Sequence, residues 1–469
     1  MKNKYWMGKS KKRWIFSLLF VMIFSQLIAQ DYNTEERIYW FSQLWKDVST
    51  KFHDPGHLKQ INWDSLYVSN IERVVEMQSD LDYYRLLEYM IATLNDGHSE
   101  LFNKRWISDQ DSIDRLPIEI RLIGNDYYVL GVVKEKLGDI PLGSKILEIN
   151  GLQIIDYLEK YIFPQIGAKT WHDKNNRALE YLTYGKTNDS IVFTIQTPEL
   201  RVINTGMMYN RGENNIQKKD MEGTQFSNVK YRSSINRYLD EDSLGNIYYN
   251  LRLDNFDFFS QKNNITELLE RESDKISQAE YIVLDLRYNS GGSELEADTL
   301  LACFLDVDSL VTYSSLTRKD NAYYAAKGYG YPEYKEYYNN LVMDILPSDT
   351  LLRKDLPFFP QPLFILISSK TYSAAEDLLI TLKLHYPDRA VLVGTPTGGS
   401  TGAPFVKKLP HHNSYYRICV RRPQLPDGLF DNGIQPDYFY EPDIEEHLGN
   451  EDLVFQYTEK LYVRLYSEN

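Results

Sequence analysis

The sequence has only two cysteines among its 469 residues, Cys303 and Cys419, and no histidines cluster near them. The zinc-binding spacings of cysteine and histidine are therefore absent. Both cysteines lie in apolar stretches, which suit a disulfide or two core thiols equally well. An excess of basic charge is also lacking, since 66 acidic residues outnumber 52 lysines and arginines and the net charge is −14. No basic stripe is present to bind nucleic-acid phosphates. We expect no nucleic-acid partner.

Long hydrophobic runs are confined to the N-terminal 30 residues. A basic segment with six lysines and arginines up to Arg13 precedes the uncharged stretch Trp14–Ala29. That length suits the hydrophobic region of a signal peptide and is short for a membrane-spanning helix. We expect residues 1–30 to be a signal peptide that exports the protein to the periplasm or the exterior. A retained N-terminal anchor is the alternative.

Three patterns follow one another along the rest of the chain. Apolar residues at helical spacing predict an N-terminal helical region over residues 31–112. Alternating patterns and an Asn-Gly turn predict a β-rich module over 113–204, and a polar connector follows over 205–245. Strands then alternate with helices over 246–469, which predicts a layered α/β domain. A tyrosine-rich stretch at 313–338 is either a lid or a packed loop.

Ser373 stands between a predicted strand and a predicted helix. The strand is the apolar run Pro362–Ser369, and the helix begins at Ala374. The free N–H groups of a helix N-terminus stabilise an oxyanion, so this position suits a serine nucleophile. The alternative is a capping box, in which Ser373 and Glu376 satisfy the N–H groups of the first turn.

Glycine-rich turns occur at three further places, and the first two follow strands. They are Asn289-Ser-Gly291-Gly292, Thr397-Gly398-Gly399 and Asn432-Gly433-Ile-Gln-Pro-Asp437. Glycine at such turns lets backbone N–H groups approach a ligand or a developing anion. Taken alone, the first segment favours a simple tight turn with a buried Asp285–Arg287 ion pair.

The order of these segments resembles a known family. "LDLRxNxGG", "SAAE", "VGxxTGG" and "GIQPD" follow one another as in the C-terminal processing peptidase superfamily. That group includes the tail-specific proteases, the tricorn protease core and the interphotoreceptor retinoid-binding proteins. The resemblance covers about Asp31 to the C-terminus. It implies a crotonase-like (Clp-protease-like) α/β core, with the β-rich module similar to a PDZ domain through its "GxxILxING" segment.

The resemblance also implies site residues. Ser373 matches the nucleophile, and the N–H groups of Ala374 and of Gly291 or Gly292 match the oxyanion hole. Tail-specific proteases carry a base lysine after the nucleophile helix, but this sequence has Ser400 there. Lys407 and Lys408 follow further along the chain and are alternative bases.

The tricorn-like branch instead takes its base from the N-terminal region. His98, in Asp96-Gly97-His98-Ser99, matches that motif, and histidine is suited to accept a proton near neutral pH. The same branch implies an acidic residue that supports the histidine through a second serine. Asp431 is the matching acid, and Ser99 or Ser400 is the second serine. Asp437 is expected to be structural.

The implied function is that of an exported serine endopeptidase acting through an acyl-enzyme. Its partners would be unfolded proteins or C-terminal peptide segments, and it would need no metal or cofactor. One alternative is a non-catalytic protein that binds peptides or hydrophobic ligands on the same fold. Another is a hydrolase of small thioesters, which would explain neither the export signal nor the PDZ-like module.

Overall fold

The computed structural model describes residues 32–102, 113–210, 216–218, 235–257, 264–319, 321–353, 356–411, 413–449 and 451–467. The predicted signal peptide lies outside these ranges. Within them, no helix is both long and apolar enough to cross a membrane.

Helices form the N-terminal region, as the apolar spacing predicts. They are α1 (Thr34–Lys51), α2 (Pro55–Gln60), α3 (Trp63–Glu76) and α4 (Asp80–Ala92). Asn33 and Glu36 form a capping box at the start of α1, and the Ser79 hydroxyl caps α4. Helix α4 ends just before the turn that carries His98, and strand β1 (Glu100–Phe102) follows that turn directly. The turn is thus held between two regular elements.

The β-rich module contains a seven-stranded sheet. Five of its strands lie in the order β10-β4-β5-β8-β9, while β3 pairs with β4 and β6 pairs with β5. Its elements are β2 (Ile113–Arg115), β3 (Ile118–Ile123), β4 (Asp126–Val133), β5 (Lys145–Ile149), β6 (Leu152–Gln153), α5 (Ile154–Tyr157, continued by a π-turn at Leu158–Ile162), α6 (Trp171–Leu182), β7 (Tyr184–Lys186), β8 (Ser190–Gln196), β9 (Val202–Met208) and β10 (Ile216–Lys218). Helix α6 was not predicted. The predicted connector over 205–245 contains the end of β9, at Thr205–Met208, and all of β10.

The following part of the chain contains the strands and helices that the alternating pattern predicts. They are β11 (Ile235–Glu241), β12 (Ile247–Leu253), α7 (Ile265–Ile276), β13 (Tyr281–Asp285), α8 (Glu294–Ala302), β14 (Ser309–Val311), β15 (Ser315–Arg318), α9 (Ala322–Gly328), α10 (Lys335–Tyr338), β16 (Met343–Leu346), β17 (Thr350–Leu352), β18 (Leu363–Ile367), α11 (Ala374–His385), β19 (Ala390–Gly394), β20 (Pro404–Lys408), β21 (Tyr415–Cys419), β22 (Arg421–Pro423), β23 (Tyr438–Phe439), α12 (Ile444–His447) and α13 (Leu453–Tyr462). Strand β11 lies in the predicted connector.

A six-stranded sheet in the order β11-β12-β13-β18-β19-β23 forms the centre of this part. Only the β11–β12 pair is antiparallel. On β13, Ile282 and Leu284 pack into the core beneath α7, α8 and α11, whereas Tyr281 and Val283 face α13. Both faces of the sheet are therefore covered, which confirms the layered α/β class. Parallel strands also bring their carboxyl ends to one edge, and a ligand site is expected there.

A small sheet connects the N-terminal region to this core. Strand β1 pairs with β21, and β21 pairs with β20. The register places Glu100 opposite Arg417. Because β1 begins two residues after His98, this pairing brings the His98 turn against the core.

The cysteines and the tyrosine-rich stretch have definite structures. Cys303 and Cys419 are both free and buried, so they are core thiols and not a disulfide. The tyrosine-rich stretch includes β15, α9, a 3₁₀ turn at Pro332–Tyr334 and α10, and Tyr329 is 80% exposed.

Candidate active site

Ser373 lies at the turn between β18 and α11, at the carboxyl edge of the core sheet. Its backbone has φ +56° and ψ −125°, which non-glycine residues rarely adopt, and its side chain makes no capping hydrogen bond. The predicted capping box is therefore wrong. The Glu376 carboxylate does not reach back along the helix, because it accepts hydrogen bonds from the N–H groups of Gly399 (2.7 Å) and Ser400 (2.9 Å).

The Ser373 hydroxyl instead contacts His98. Ser373 Oγ lies 3.0 Å from His98 Nε2, and His98 Nδ1 lies 2.8 Å from Ser400 Oγ. The His98 side chain is buried, with the residue 4% exposed. If Nε2 accepts the Ser373 proton, Nδ1 carries a hydrogen and donates it to Ser400. A serine, a histidine and a second serine thus form one chain of hydrogen bonds.

The surroundings of His98 favour the neutral imidazole. Burial, together with the positive charges of Arg417, Arg177 and Arg421, lowers the pKa of His98 to about 4, although the Asp96 carboxylate acts to raise it. A neutral ring is present at neutral pH and is able to accept a proton.

Helix α6 of the β-rich module also contacts the His98 turn, through Arg177. Arg177 Nη2 donates to Gly97 O (3.1 Å) and to the Tyr372 hydroxyl (2.7 Å). The Tyr372 ring stacks on the His98 imidazole with centroids 5.1 Å apart and planes at 12°. No motif in the sequence marks Arg177 or Tyr372 as a site residue. The available signal for α6 was Thr170 followed by apolar residues at helical spacing, including Ala178, Leu179 and Leu182.

The turn after β13 approaches Ser373 closely. A Cβ atom at Gly291 would lie 2.4 Å from Ser373 Cβ, and the φ of Gly291 is +92°, so only glycine fits there. The Gly291 N–H donates to Asn289 Oδ1 at 2.8 Å and is therefore engaged. In the part of the chain that the structure describes, no acceptor is found for the N–H groups of Gly292 and Ala374.

The loop that carries Ser400 is fixed by Glu376 and by the turn at Gly433. Glu376 also accepts a hydrogen bond from the Thr397 hydroxyl (2.5 Å), which in turn accepts one from Ile434 N (2.8 Å). Burial raises the pKa of Glu376 to about 8, although the three hydrogen bonds that it accepts act to lower it. This buried carboxyl group thus determines where Ser400 stands.

Several predicted residues lie elsewhere. Asp431 is exposed and accepts a hydrogen bond from Gly428 N (3.2 Å), so the structure does not bring it to His98 or Ser400. Ser99 is buried, but its hydroxyl accepts from Cys419 N (3.0 Å), and Ser400 is the serine at the imidazole. Lys408 is exposed on β20, Lys407 is partly exposed beside it, and His98 occupies the position next to Ser373.

Two charged residues of the motifs are structural, as expected. Arg287 forms ion pairs with Asp285 (2.9 Å) and Asp452 (2.5 Å) beneath the glycine turn. Asp437 pairs with Lys383 (2.5 Å) and accepts a hydrogen bond from Leu392 N (2.9 Å). These residues hold the strands that carry the site.

Comparisons with known proteins agree with the fold. Residues 250–439 match the sequence model of Peptidase family S41. Mature CPAF complexed with lactacystin has a TM-score of 0.68 and 14% identity, over 93% of this chain and 99% of that chain. A putative peptidase from Parabacteroides merdae has a TM-score of 0.50 and 14% identity, over 92% and 97%. At such identities these structures show the fold alone. No curated protein sequence matches the chain.

Proposed function

We propose that this chain is a serine-type peptidase of the C-terminal processing superfamily and cleaves peptide bonds through an acyl-enzyme on Ser373. The match of residues 250–439 to Peptidase family S41 supports the class of enzyme. The observation that carries the proposal is the 3.0 Å contact between Ser373 Oγ and His98 Nε2. This distance is within hydrogen-bond reach of a general base.

In the first step, Ser373 Oγ forms a bond to the peptide carbonyl carbon and its proton passes to His98 Nε2. The tetrahedral intermediate then expels the amine, which takes the proton back from His98. Water repeats the sequence on the ester: its oxygen bonds to the acyl carbon, His98 accepts its proton, and Ser373 leaves as the restored hydroxyl.

The N–H groups of Gly292 and Ala374 are our assignment for the oxyanion hole. Ala374 is the first residue of α11, where the partial positive charge of the helix N-terminus adds to the hydrogen bond. Gly292 is favoured over Gly291, because the Gly291 N–H is already bound to Asn289.

Ser400 is assigned as the residue that positions His98. By accepting the hydrogen of Nδ1, its hydroxyl holds the ring so that Nε2 faces Ser373. Ser400 therefore takes the place of the carboxylate in a serine–histidine–aspartate triad. Glu376 acts through the backbone of the Ser400 loop and does not contact the imidazole in this scheme.

Unfolded proteins and C-terminal peptide segments are the proposed substrates, and export is the proposed route. The substrate class is supported by the resemblance of the β-rich module to a PDZ domain. Export is supported by the basic segment before Trp14–Ala29. N-terminal sequencing of the protein from a fractionated host tests export, which predicts a mature chain that begins near residue 31.

The peptidase assignment is tested by comparing the purified protein with Ser373→Ala on an unstructured protein substrate. We expect kcat/KM to fall by about 10³-fold or more, since the acyl-enzyme cannot form. Ser79→Ala is the matched control, because Ser79 does cap a helix and lies in the N-terminal region. Equal turnover by Ser373→Ala and the wild type would contradict the assignment and favour a different site.

A further inference from the structure

His53, Asp96 and Cys419 come together at the His98 turn although they are far apart in the sequence. His53 follows α1, Asp96 lies in the turn after α4, and Cys419 ends β21. One ligand atom from each residue lies within 4.8 Å of the other two. The three side chains offer a nitrogen, a carboxylate oxygen and a sulfur, which is a donor set that zinc accepts.

The spacing of two of these donors already suits a tetrahedral ion. Asp96 Oδ2 and His53 Nε2 are 3.3 Å apart. Metal–ligand bonds of about 2.0–2.3 Å at tetrahedral angles place ligand atoms roughly 3.3–3.7 Å apart. Three protein ligands would leave the fourth position for water.

The backbone around the cluster is fixed by hydrogen bonds. His53 N donates to Cys419 O at 3.1 Å, and Cys419 N donates to Ser99 Oγ at 3.0 Å. The His53 imidazole is held less firmly, because its buried Nδ1 has no hydrogen-bond partner among the described residues. The ligands are thus carried by an ordered backbone, and the His53 ring is hydrogen-bonded to Asp96 through Nε2.

We propose that His53, Asp96 and Cys419 bind a thiophilic divalent cation such as Zn²⁺, and that the bound cation slows the peptidase. On binding, the Cys419 thiol gives up its hydrogen bond to Arg421 O, loses its proton to solvent and coordinates as thiolate. Mg²⁺ and Ca²⁺, which prefer oxygen ligands, do not suit this site.

The effect on catalysis follows from the second oxygen of Asp96. Asp96 Oδ1 accepts the His98 N–H at 2.9 Å, so the carboxylate that would bind the cation also shapes the turn of the predicted base. Coordination of Oδ2 would redirect this carboxylate. That change would shift the backbone turn that holds the His98 ring against Ser373.

The binding test uses the full chain stripped of metal by a chelator and titrated with Zn²⁺ in a calorimeter. We expect one ion per chain, and Co²⁺ should give a thiolate charge-transfer band. Cys419→Ser and His53→Gln should each weaken Zn²⁺ binding by about tenfold or more, since each removes a ligand. Cys303→Ser is the matched control, because Cys303 is also a buried free thiol and should leave Zn²⁺ binding unchanged.

Absence of Zn²⁺ binding, or equal binding by the wild type and Cys419→Ser, would overturn the site. Unfolding midpoints of the variants without metal identify any variant that fails to fold, and His53→Gln and Cys419→Ser provide independent tests. The binding measurement does not depend on turnover, so it tests the metal site even if the proposed peptidase mechanism is wrong.

In the peptidase assay, Zn²⁺ should reduce the kcat of the wild type by about tenfold, and a chelator should restore it. Zn²⁺ should not reduce the kcat of Cys419→Ser. Zn²⁺ binding that leaves kcat unchanged would contradict the proposal that the bound cation slows the peptidase.

Discussion

At the scale of single residues, Ser373 is unusual in its backbone. A non-glycine residue at φ +56° costs on the order of 1–3 kcal/mol, and such strain is common at catalytic turns. The strain directs the hydroxyl toward His98 and away from the helix N–H groups, which explains why a capping sequence does not cap. The local sequence of Ser373 and Glu376 fits both a helix cap and a serine nucleophile. The hydrogen bonds of Glu376 to the Ser400 loop distinguish the two.

This strain predicts a stability difference between two inactive variants. Ser373→Gly should unfold at a higher denaturant concentration than Ser373→Ala, because glycine adopts a positive φ without steric cost. The expected difference is about 1 kcal/mol after the greater unfolded-state entropy of glycine is subtracted. Chemical denaturation of both proteins measures it. A less stable Ser373→Gly would show that the turn is not strained.

The pH dependence of catalysis tests the environment of His98. With a pKa of about 4, His98 is protonated and inactive below that value and neutral above it. We therefore expect kcat/KM to rise with pH through about 4 and to be flat near 6.5, where an ordinary histidine titrates. The profile is measured with a chelator present and with circular dichroism to confirm folding. An acid limb near 6.5 would contradict the buried, arginine-flanked base.

At the scale of elements, α6 is the least expected part of the site. It lies in the β-rich module, yet Thr170 Oγ1 donates to Gly398 O (2.7 Å) and Asn176 donates to Ser369 (2.8 Å). Together with Arg177, these contacts place the module directly against the candidate active site. A change in the position of the module would therefore displace the His98 turn, because Arg177 bonds to Gly97 O.

Arg177 gives a prediction at this scale. Arg177→Met should lower kcat by about tenfold or more, because the Gly97–His98 peptide and Tyr372 lose their shared donor. It should also move the acid limb to higher pH, since a positive charge that lowers the pKa of His98 is removed. Arg201→Met is the control, since Arg201 is exposed in the same module. An unchanged acid limb would assign Arg177 a purely structural role.

The sequence predicted those elements whose signals are local. Strands β13 and β18, helix α11 and their glycine turns follow from apolar runs and breakers, and the motif order indicated the peptidase family whose sequence model matches residues 250–439. Helix α6 was missed because a strand-like stretch surrounds it and only a few apolar positions mark its face. The choice of Ser400 over Ser99, and the exclusion of Asp431, depend on contacts between distant segments, which no local pattern contains.

At the scale of the whole molecule, the site exists only when distant parts of the chain are folded together. His98 comes from the N-terminal region and Ser373 from the core, 275 residues later. The β1–β21 pairing joins the two parts. Neither part contains both the proposed nucleophile and its base, so we expect activity only from the assembled chain.

The most direct test is to label the folded protein with a serine-reactive fluorophosphonate and to map the adduct by mass spectrometry. We predict one modified residue, Ser373, with labelling slowed by about 10²-fold or more in His98→Gln, because the hydroxyl then lacks its base. Labelling of another serine, or equal labelling rates in the wild type and His98→Gln, would contradict the pairing of Ser373 with His98.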